Sequence, residues 1–292
     1  MDMQNEHGLQ HDLEKLLIQH ASRRQALKIV AGLSIAPLAL MGCGGSDSST
    51  STSSTTTSDT STSTSSTSST TTSSTSTSSC SVIPTETGGP YPGDGTNSVN
   101  GRTVNALILT GIVRSNIKPS LTTTNTATGI PLTIKLKLVN TNSSCASLAG
   151  YVVYLWHCTA SGEYSLYSTN VISDSFLRGV QVADADGYVT FETIFPGCYS
   201  GRMPHVHFEV YPSLTLATIA TNAIKTSQFT FPLATMNNVY TDSAYSGSAT
   251  NLSKISFATD MVFSDGVTNQ MATMTGSNSA GYVSTLTVGL AI

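Results

Sequence analysis

Charge is scarce in this chain of 292 residues: Asp, Glu, Lys and Arg make up 10% of it, and the formal net charge is −4. No basic patch or stripe is visible, so nothing supplies the electrostatic footprint of a nucleic-acid partner. Five cysteines are present but none forms a Cys-x-x-Cys pair, which argues against a structural zinc site. The apolar run from Ile29 to Met41 is about thirteen residues long, short of the roughly 20 that a membrane-spanning helix needs. Helical periodicity is poor beyond it, and only Leu214 to Ala223 suggests a short helical turn. Of the six histidines, His7, His11 and His20 fall in the first twenty residues.

The amino terminus reads as an address. Ser22-Arg23-Arg24-Gln25-Ala26-Leu27-Lys28 is a twin-arginine pattern, and the apolar run that follows has the length of a signal h-region. Leu40-Met41-Gly42-Cys43 resembles a bacterial lipobox, in which Cys43 would be lipidated and become the first mature residue. Residues 46–79 are serine and threonine, broken only by Asp47 and Asp59. Such a segment has no apolar surface to offset its conformational entropy and is expected to be a disordered tether, with a typical end-to-end distance of about 30 Å. The expected layout is a signal over 1–42, a lipid-anchored linker over 43–80 and a folded domain over 81–292. That layout implies twin-arginine export and a membrane-anchored lipoprotein of the bacterial cell envelope.

The folded part carries strand signals. Thr133 to Leu138 alternates strictly, Gly150 to Cys158 reads as a fully buried strand, and Asp184 to Gly187 turns the chain into Tyr188 to Phe195. Further candidates are Val104 to Val113, His205 to Tyr211, Ser227 to Phe231 and Val283 to Leu290. About eight short strands separated by Gly, Pro, Asn and Asp predict an all-β fold, an antiparallel β-sandwich. Four cysteines lie beyond Cys43, namely Cys80, Cys145, Cys158 and Cys198. In an oxidising compartment they allow two disulfides in any of three connectivities.

Chemistry concentrates in Pro196-Gly197-Cys198-Tyr199-Ser200-Gly201-Arg202-Met203-Pro204-His205-Val206-His207. A strand repeats every two residues, so His205 and His207 share a face and can hold one metal. Three donor sets are open. With His157 they would make a three-histidine zinc site with a position left for water, as in a hydrolase. A cupin would need a glutamate three or four residues after His207, and Glu209 comes too early. A set that includes tyrosinates would supply hard anionic oxygens suited to ferric iron. His157 should point away from the face of Trp156 and is read as structural.

A second segment, Trp156-His157-Cys158-Thr159-Ala160-Ser161-Gly162-Glu163-Tyr164, favours the tyrosinate set. Together the two segments resemble the intradiol ring-cleavage dioxygenases, ferric enzymes that open catechols between their two hydroxyls. The resemblance extends to Thr87-Gly88-Gly89-Pro90-Tyr91, Phe176 to Gln181, Asp184 to Gly187 and Ser227-Gln228-Phe229, and the tail from Phe263 to Leu290 looks like the secreted, lipoprotein-like branch. It implies Fe(III) held by Tyr164, Tyr199, His205 and His207, with Tyr199 the labile ligand that accepts a substrate proton. It also implies that Arg202 stabilises developing charge and that Thr87, Gly89, Tyr91 and Gln228 contact the substrate. The implied partners are a catechol-type molecule and O2, with the membrane reached through Cys43. Three departures stand out: the Tyr199 to Arg202 connection is short, Thr159 occupies a position often acidic in that branch, and no helical dimerisation segment precedes the domain. The rival function from another class is a metal-free β-sandwich binding module displayed on the tether.

Overall fold

The computed structural model describes residues 80–292; the twin-arginine segment, the lipobox with Cys43, and the Ser/Thr stretch 46–79 lie outside the described residues. The described chain runs through β1 (Asp94–Val99), β2 (Arg102–Asn105), β3 (Pro131–Asn140), β4 (Ala146–Ser147), β5 (Val152–Trp156), β6 (Arg178–Val182), β7 (Tyr188–Ile194) and β8 (His205–Tyr211). It continues through β9 (Lys225–Thr230), two short helices, α1 (Leu233–Val239) and α2 (Ser248–Leu252), and then β10 (Thr273–Ser277) and β11 (Gly281–Leu290). One sheet has the order β10-β11-β3-β4, with β7 also paired to β3; the other has the order β6-β5-β8-β9; β1 and β2 form a separate hairpin. The result is an all-β sandwich.

The two sheets meet through alternate residues. Leu132, Ile134, Leu136 and Leu138 of β3 point inward with Val189 and Phe191 of β7, against Val153 and Leu155 of β5 and Val206, Phe208 and Val210 of β8. This period-2 pattern is what a strand with one buried face requires. All five residues of β5 are buried, because its other face is covered as well. Residues Val104, Ala106, Leu107 and Ile112 lie over Tyr154 and Trp156 on that outer side.

Three details depart from the expected layout. The stretch Val104 to Val113 is strand only as far as Asn105; beyond it Leu109 N–H donates to Ala106 O and Ile112 N–H to Leu109 O, so the chain turns, and Gly111 adopts φ 84°. Most of its apolar residues cover a sheet, and only Val113 pairs at the sheet's edge, in an isolated parallel bridge with Val180. The carboxy-terminal strand β11 runs parallel to β3, in register from Tyr282↔Leu132 to Leu290↔Asn140, while the other pairings between these strands are antiparallel. Leu214 to Ala223 forms short helical turns as expected, among them a 3-10 turn at Ala220–Asn222, but the helix α1, which the sequence did not suggest, follows Pro232 and buries Met236 and Val239.

Of the three possible connectivities, the structure contains the bond Cys80–Cys145, with Cα atoms 5.8 Å apart, while Cys158 and Cys198 are free and buried. Cys80, the last residue of the expected linker, is thereby tied to the folded domain. The bond spans 65 positions, and closing a loop of that length restricts the unfolded chain by about 4 kcal/mol. Replacing both cysteines by serine is therefore expected to lower the unfolding free energy by up to that amount in a denaturant titration. An unchanged midpoint would show that the cross-link does not act this way.

Candidate metal centre

The site lies on the outer face of the four-stranded sheet. Pairing registers align Arg178 with Trp156, Trp156 with His207, and His207 with Gln228, so one row of side chains crosses β6, β5, β8 and β9. His205 lies on the same face as His207, as strand alternation demands. The His207 imidazole stacks on the Trp156 indole with centroids 5.0 Å apart and planes 4° from parallel. Its orientation is thereby set before any ligand arrives.

Both tyrosines come from loops braced against each other. Thr159 closes the first: its N–H donates to Glu163 O at 2.8 Å, and its hydroxyl accepts from Glu163 N–H at 3.0 Å. The threonine that departs from the resemblance thus does structural work at the turn. Gly162 has φ +87°, and a Cβ there would come within 2.9 Å of Tyr199 Cβ. Only glycine meets both conditions without strain. Gly197 N–H donates to Thr159 O at 3.0 Å, which joins the second loop to the first.

Four donor atoms converge. His205 Nε2 is 3.0 Å from His207 Nε2, 3.2 Å from Tyr199 Oη and 3.4 Å from Tyr164 Oη. His205 Nδ1 is 2.6 Å from Met203 O. A carbonyl can only accept, so Nδ1 carries the hydrogen and Nε2 presents its lone pair to the cluster. Burial holds both imidazoles well below their usual range, with Arg202 adding to the effect on each and His205 adding to that on His207. Burial also pushes Tyr164 well above the ordinary phenol value, with Tyr199 reinforcing it, and raises Tyr199 to about 12 against the opposing charge of Arg202. Two neutral nitrogens and two phenols are thus gathered with no cationic side chain inside the cluster.

That donor set fits a hard, highly charged ion. A metal cation stabilises phenolate directly and offsets the desolvation that otherwise keeps these phenols protonated. Hard anionic oxygens combined with imidazole suit ferric iron better than softer ions. Among the described residues, His207 Nδ1 is buried with no hydrogen-bond partner, while its Nε2 faces His205 Nε2. Among the described residues no group of three or more His, Cys, Asp or Glu is placed to hold a metal, so the phenols are indispensable to the set.

His157 lies apart from it. Its Nδ1 is 2.8 Å from Cys158 O and its Nε2 2.7 Å from Thr193 Oγ1, on a strand of the other sheet. Both nitrogens are occupied, which removes the three-histidine arrangement. Tyr167, three residues after Tyr164, accepts from Gly93 N–H and donates to Asn97 Oδ1. Its hydroxyl is therefore committed elsewhere.

The residues expected around the substrate also gather here. A Cβ at Gly89, where φ is +69°, would stand 3.2 Å from His207 Cε1. Thr87 accepts from Gly89 N–H through its hydroxyl and from Gln228 Nε2 through its carbonyl, while the Tyr91 ring lies 5.1 Å from those of Tyr164 and Tyr167. Arg202 donates from Nη2 to Gln228 Oε1 at 2.8 Å and from Nε to Asp260 Oδ2 at 3.0 Å. Burial alone would lower the Arg202 pKa, but Tyr199 and Asp260 together raise it. Its charge is permanent.

Two participants were given no role from sequence. Arg178 is fully buried and donates to Ser165 Oγ, Pro92 O, Tyr154 Oη, Tyr91 O and Ser165 O. All five of its N–H groups are used, and they tie the Tyr91 segment to the loop carrying Tyr164. It lay in a recognisable motif, Phe176 to Gln181, but that motif says nothing of these partners. Asp260 stands alone in an unremarkable stretch, and no local signal could have found it.

A family model described as Dioxygenase matches residues 113–223, a segment containing Tyr164, Tyr199, Arg202, His205 and His207. No match is found among curated proteins. Among solved structures, an intradiol ring-cleavage dioxygenase from Tetranychus urticae is 26% identical, with a TM-score of 0.55 over 73% of this chain and 95% of that one. The dioxygenase domain of a dioxygenase carbohydrate-binding protein fusion from Streptomyces sp. SirexAA-E is 21% identical, with a TM-score of 0.46 over 73% and 99%. Catechol 1,2-dioxygenase from Pseudomonas arvilla C-1 is 16% identical, with a TM-score of 0.39 over 61% and 56%. The family match spans both tyrosines and both histidines, and the first of these structures, an intradiol ring-cleavage dioxygenase, follows the fold over most of its length.

Proposed function

We propose that the chain is a non-haem Fe(III) dioxygenase that opens a catechol between its two hydroxyls with O2, yielding a muconate-type diacid. The observation that carries this is the convergence of Tyr164, Tyr199 and His207 within hydrogen-bonding distance of one nitrogen, His205 Nε2, beside a buried arginine. These four would hold the ion, and ferric iron supplies Lewis acidity that favours the doubly ionised catechol and gives its ring the carbanion character needed to react with O2.

The protein's own groups divide the remaining work. Tyr199, as phenolate, accepts a proton from a substrate hydroxyl at Oη; the adjacent Arg202 charge favours that phenolate and so tunes its basicity. Arg202 is fixed in advance by Asp260 and Gln228, so its charge needs no reorganisation when negative charge grows on the substrate. Tyr91 and Gly89 bound the space next to Tyr164 and His207, and Gln228, held by Thr87 O, orients the ring. Tyr164, the more buried of the two phenols, would help to hold the ion. We further propose that the domain is displayed at the cell envelope on the Ser/Thr tether from a lipidated Cys43, a reading supported by Arg23-Arg24 and by Leu40-Met41-Gly42-Cys43.

Purified protein should contain one iron per chain and show a broad visible tyrosinate-to-iron absorption. The Tyr199→Phe variant should weaken that absorption and slow turnover by about 100-fold. His207→Ala should lose the iron, whereas His157→Asn should retain it. Colourless protein with stoichiometric zinc overturns the assignment. In an oxygen-uptake screen across catechols, at least one should be consumed with product mass increased by two oxygen atoms. No uptake by iron-replete protein would favour the binding-module reading. Labelled palmitate should enter the full chain in a bacterial host and fail to enter Cys43→Ala; equal labelling of both contradicts the anchor.

A further inference from the structure

Asp260 is a carboxylate bonded directly to Arg202, and it lies outside the segment 113–223 that the family match covers. It is completely buried. Its Oδ2 accepts from Arg202 Nε at 3.0 Å and from Met203 N–H at 2.7 Å, and its Oδ1 accepts from Val262 N–H at 2.8 Å and Phe263 N–H at 3.1 Å. A buried carboxylate is tolerated when its charge is paired and its lone pairs are filled, and here both conditions are met. Arg202–Asp260 is the sole ion pair among the described residues.

The geometry has two consequences for the cluster. First, Asp260 and Gln228 hold the guanidinium through Nε and Nη2, which leaves Nη1 as the nitrogen with no hydrogen-bond partner among the described residues. The Phe263 ring, 5.9 Å from the guanidinium carbon, limits movement on that side. Second, Met203 is held at both ends. Its N–H goes to Asp260, and its carbonyl accepts the Nδ1 hydrogen of His205 at 2.6 Å. One side chain therefore fixes the direction of the arginine and, through a single backbone unit, the ring of a metal-ligating histidine.

We propose that Asp260 is the positioning residue of this centre: it aims the free edge of Arg202 and anchors the Met203 carbonyl that orients His205. The inference rests on the ferric dioxygenase reading. Asp260 also offsets the charge of Arg202, so the phenolates of Tyr164 and Tyr199 sense a smaller positive field than Arg202 alone would exert. Removing that compensation lowers the energy of the phenolate electrons and moves their absorption to shorter wavelength.

The test is a double-mutant cycle of Asp260→Asn and Arg202→Gln in the iron-loaded full chain, read by oxygen uptake, iron content and the visible band. Asp260→Asn in the wild-type background should lower kcat/KM for the best catechol by about 10- to 100-fold, keep the iron, and shift the band to shorter wavelength. In the Arg202→Gln background, where only the Met203 anchor is left to lose, the loss of kcat/KM should be clearly smaller than in the wild-type background. An equal loss in both backgrounds, or an unchanged band and kcat/KM, overturns the inference. If Asp260→Asn does not retain iron, the cycle is run with Asp260→Glu, where the same comparison between backgrounds decides. A wild-type chain lacking iron and oxygen uptake overturns the dioxygenase reading itself, a result distinct from equal losses in an active enzyme.

Discussion

The position of β8 between β5 and β9 is the constraint on which the site depends. Both edges of β8 are hydrogen-bonded, so its alternation is held in register and His205 and His207 are committed to the outer face. A one-residue slip would turn both rings into the inter-sheet core and bring Val206 outward. The register is secured on the other face by Val206, Phe208 and Val210, which pack into the core. Fold stability and ligand placement are thus the same interaction seen from the two sides of one strand. The Trp156 stack fixes the last degree of freedom, the tilt of the His207 ring.

The tyrosines need a different kind of support because they lie on loops. Gly162 lets the Tyr164 loop approach Tyr199 closely, Gly197 joins the two loops by a backbone bond, and Arg178 ties the Tyr164 loop to the Tyr91 segment. Arg178 is stabilised by five neutral acceptors and by the Tyr167 ring, 5.4 Å from its guanidinium carbon. A buried cation satisfied in this way is costly to disturb, since any lost acceptor leaves a desolvated N–H. It acts as a fixed cross-tie between the Tyr164 loop and the Tyr91 segment.

Much of this was legible in the sequence, and the reasons are physical. Thr133 to Leu138 and His205 to Tyr211 read correctly as strands because each has one face in the core, so burial imposes period two. His205 and His207 were legible as a pair because strand alternation puts them on one face, whereas Tyr164 and Tyr199, on loops, were pointed to only by the resemblance of their segments. Val104 to Val113 misled because an apolar stretch that covers a sheet has the composition of one that extends it; turns and Gly111 decide the matter. The parallel pairing of β3 with β11 joins residues about 150 positions apart, and local pattern carries no information about such a partner. The pairing Cys80–Cys145 was one of three connectivities for the same reason. Asp260 was illegible because its role depends on proximity to Arg202, 58 positions away.

The central claim is that two phenols and two imidazoles, and no other donors of the protein, hold one iron. Anomalous diffraction from crystals of the purified protein, measured on both sides of the iron absorption edge, addresses it directly. The account predicts one peak within bonding distance of Tyr164 Oη, Tyr199 Oη, His205 Nε2 and His207 Nε2, absent below the edge. A peak bonded to His157, or iron-replete crystals with no density among these four atoms, would contradict it.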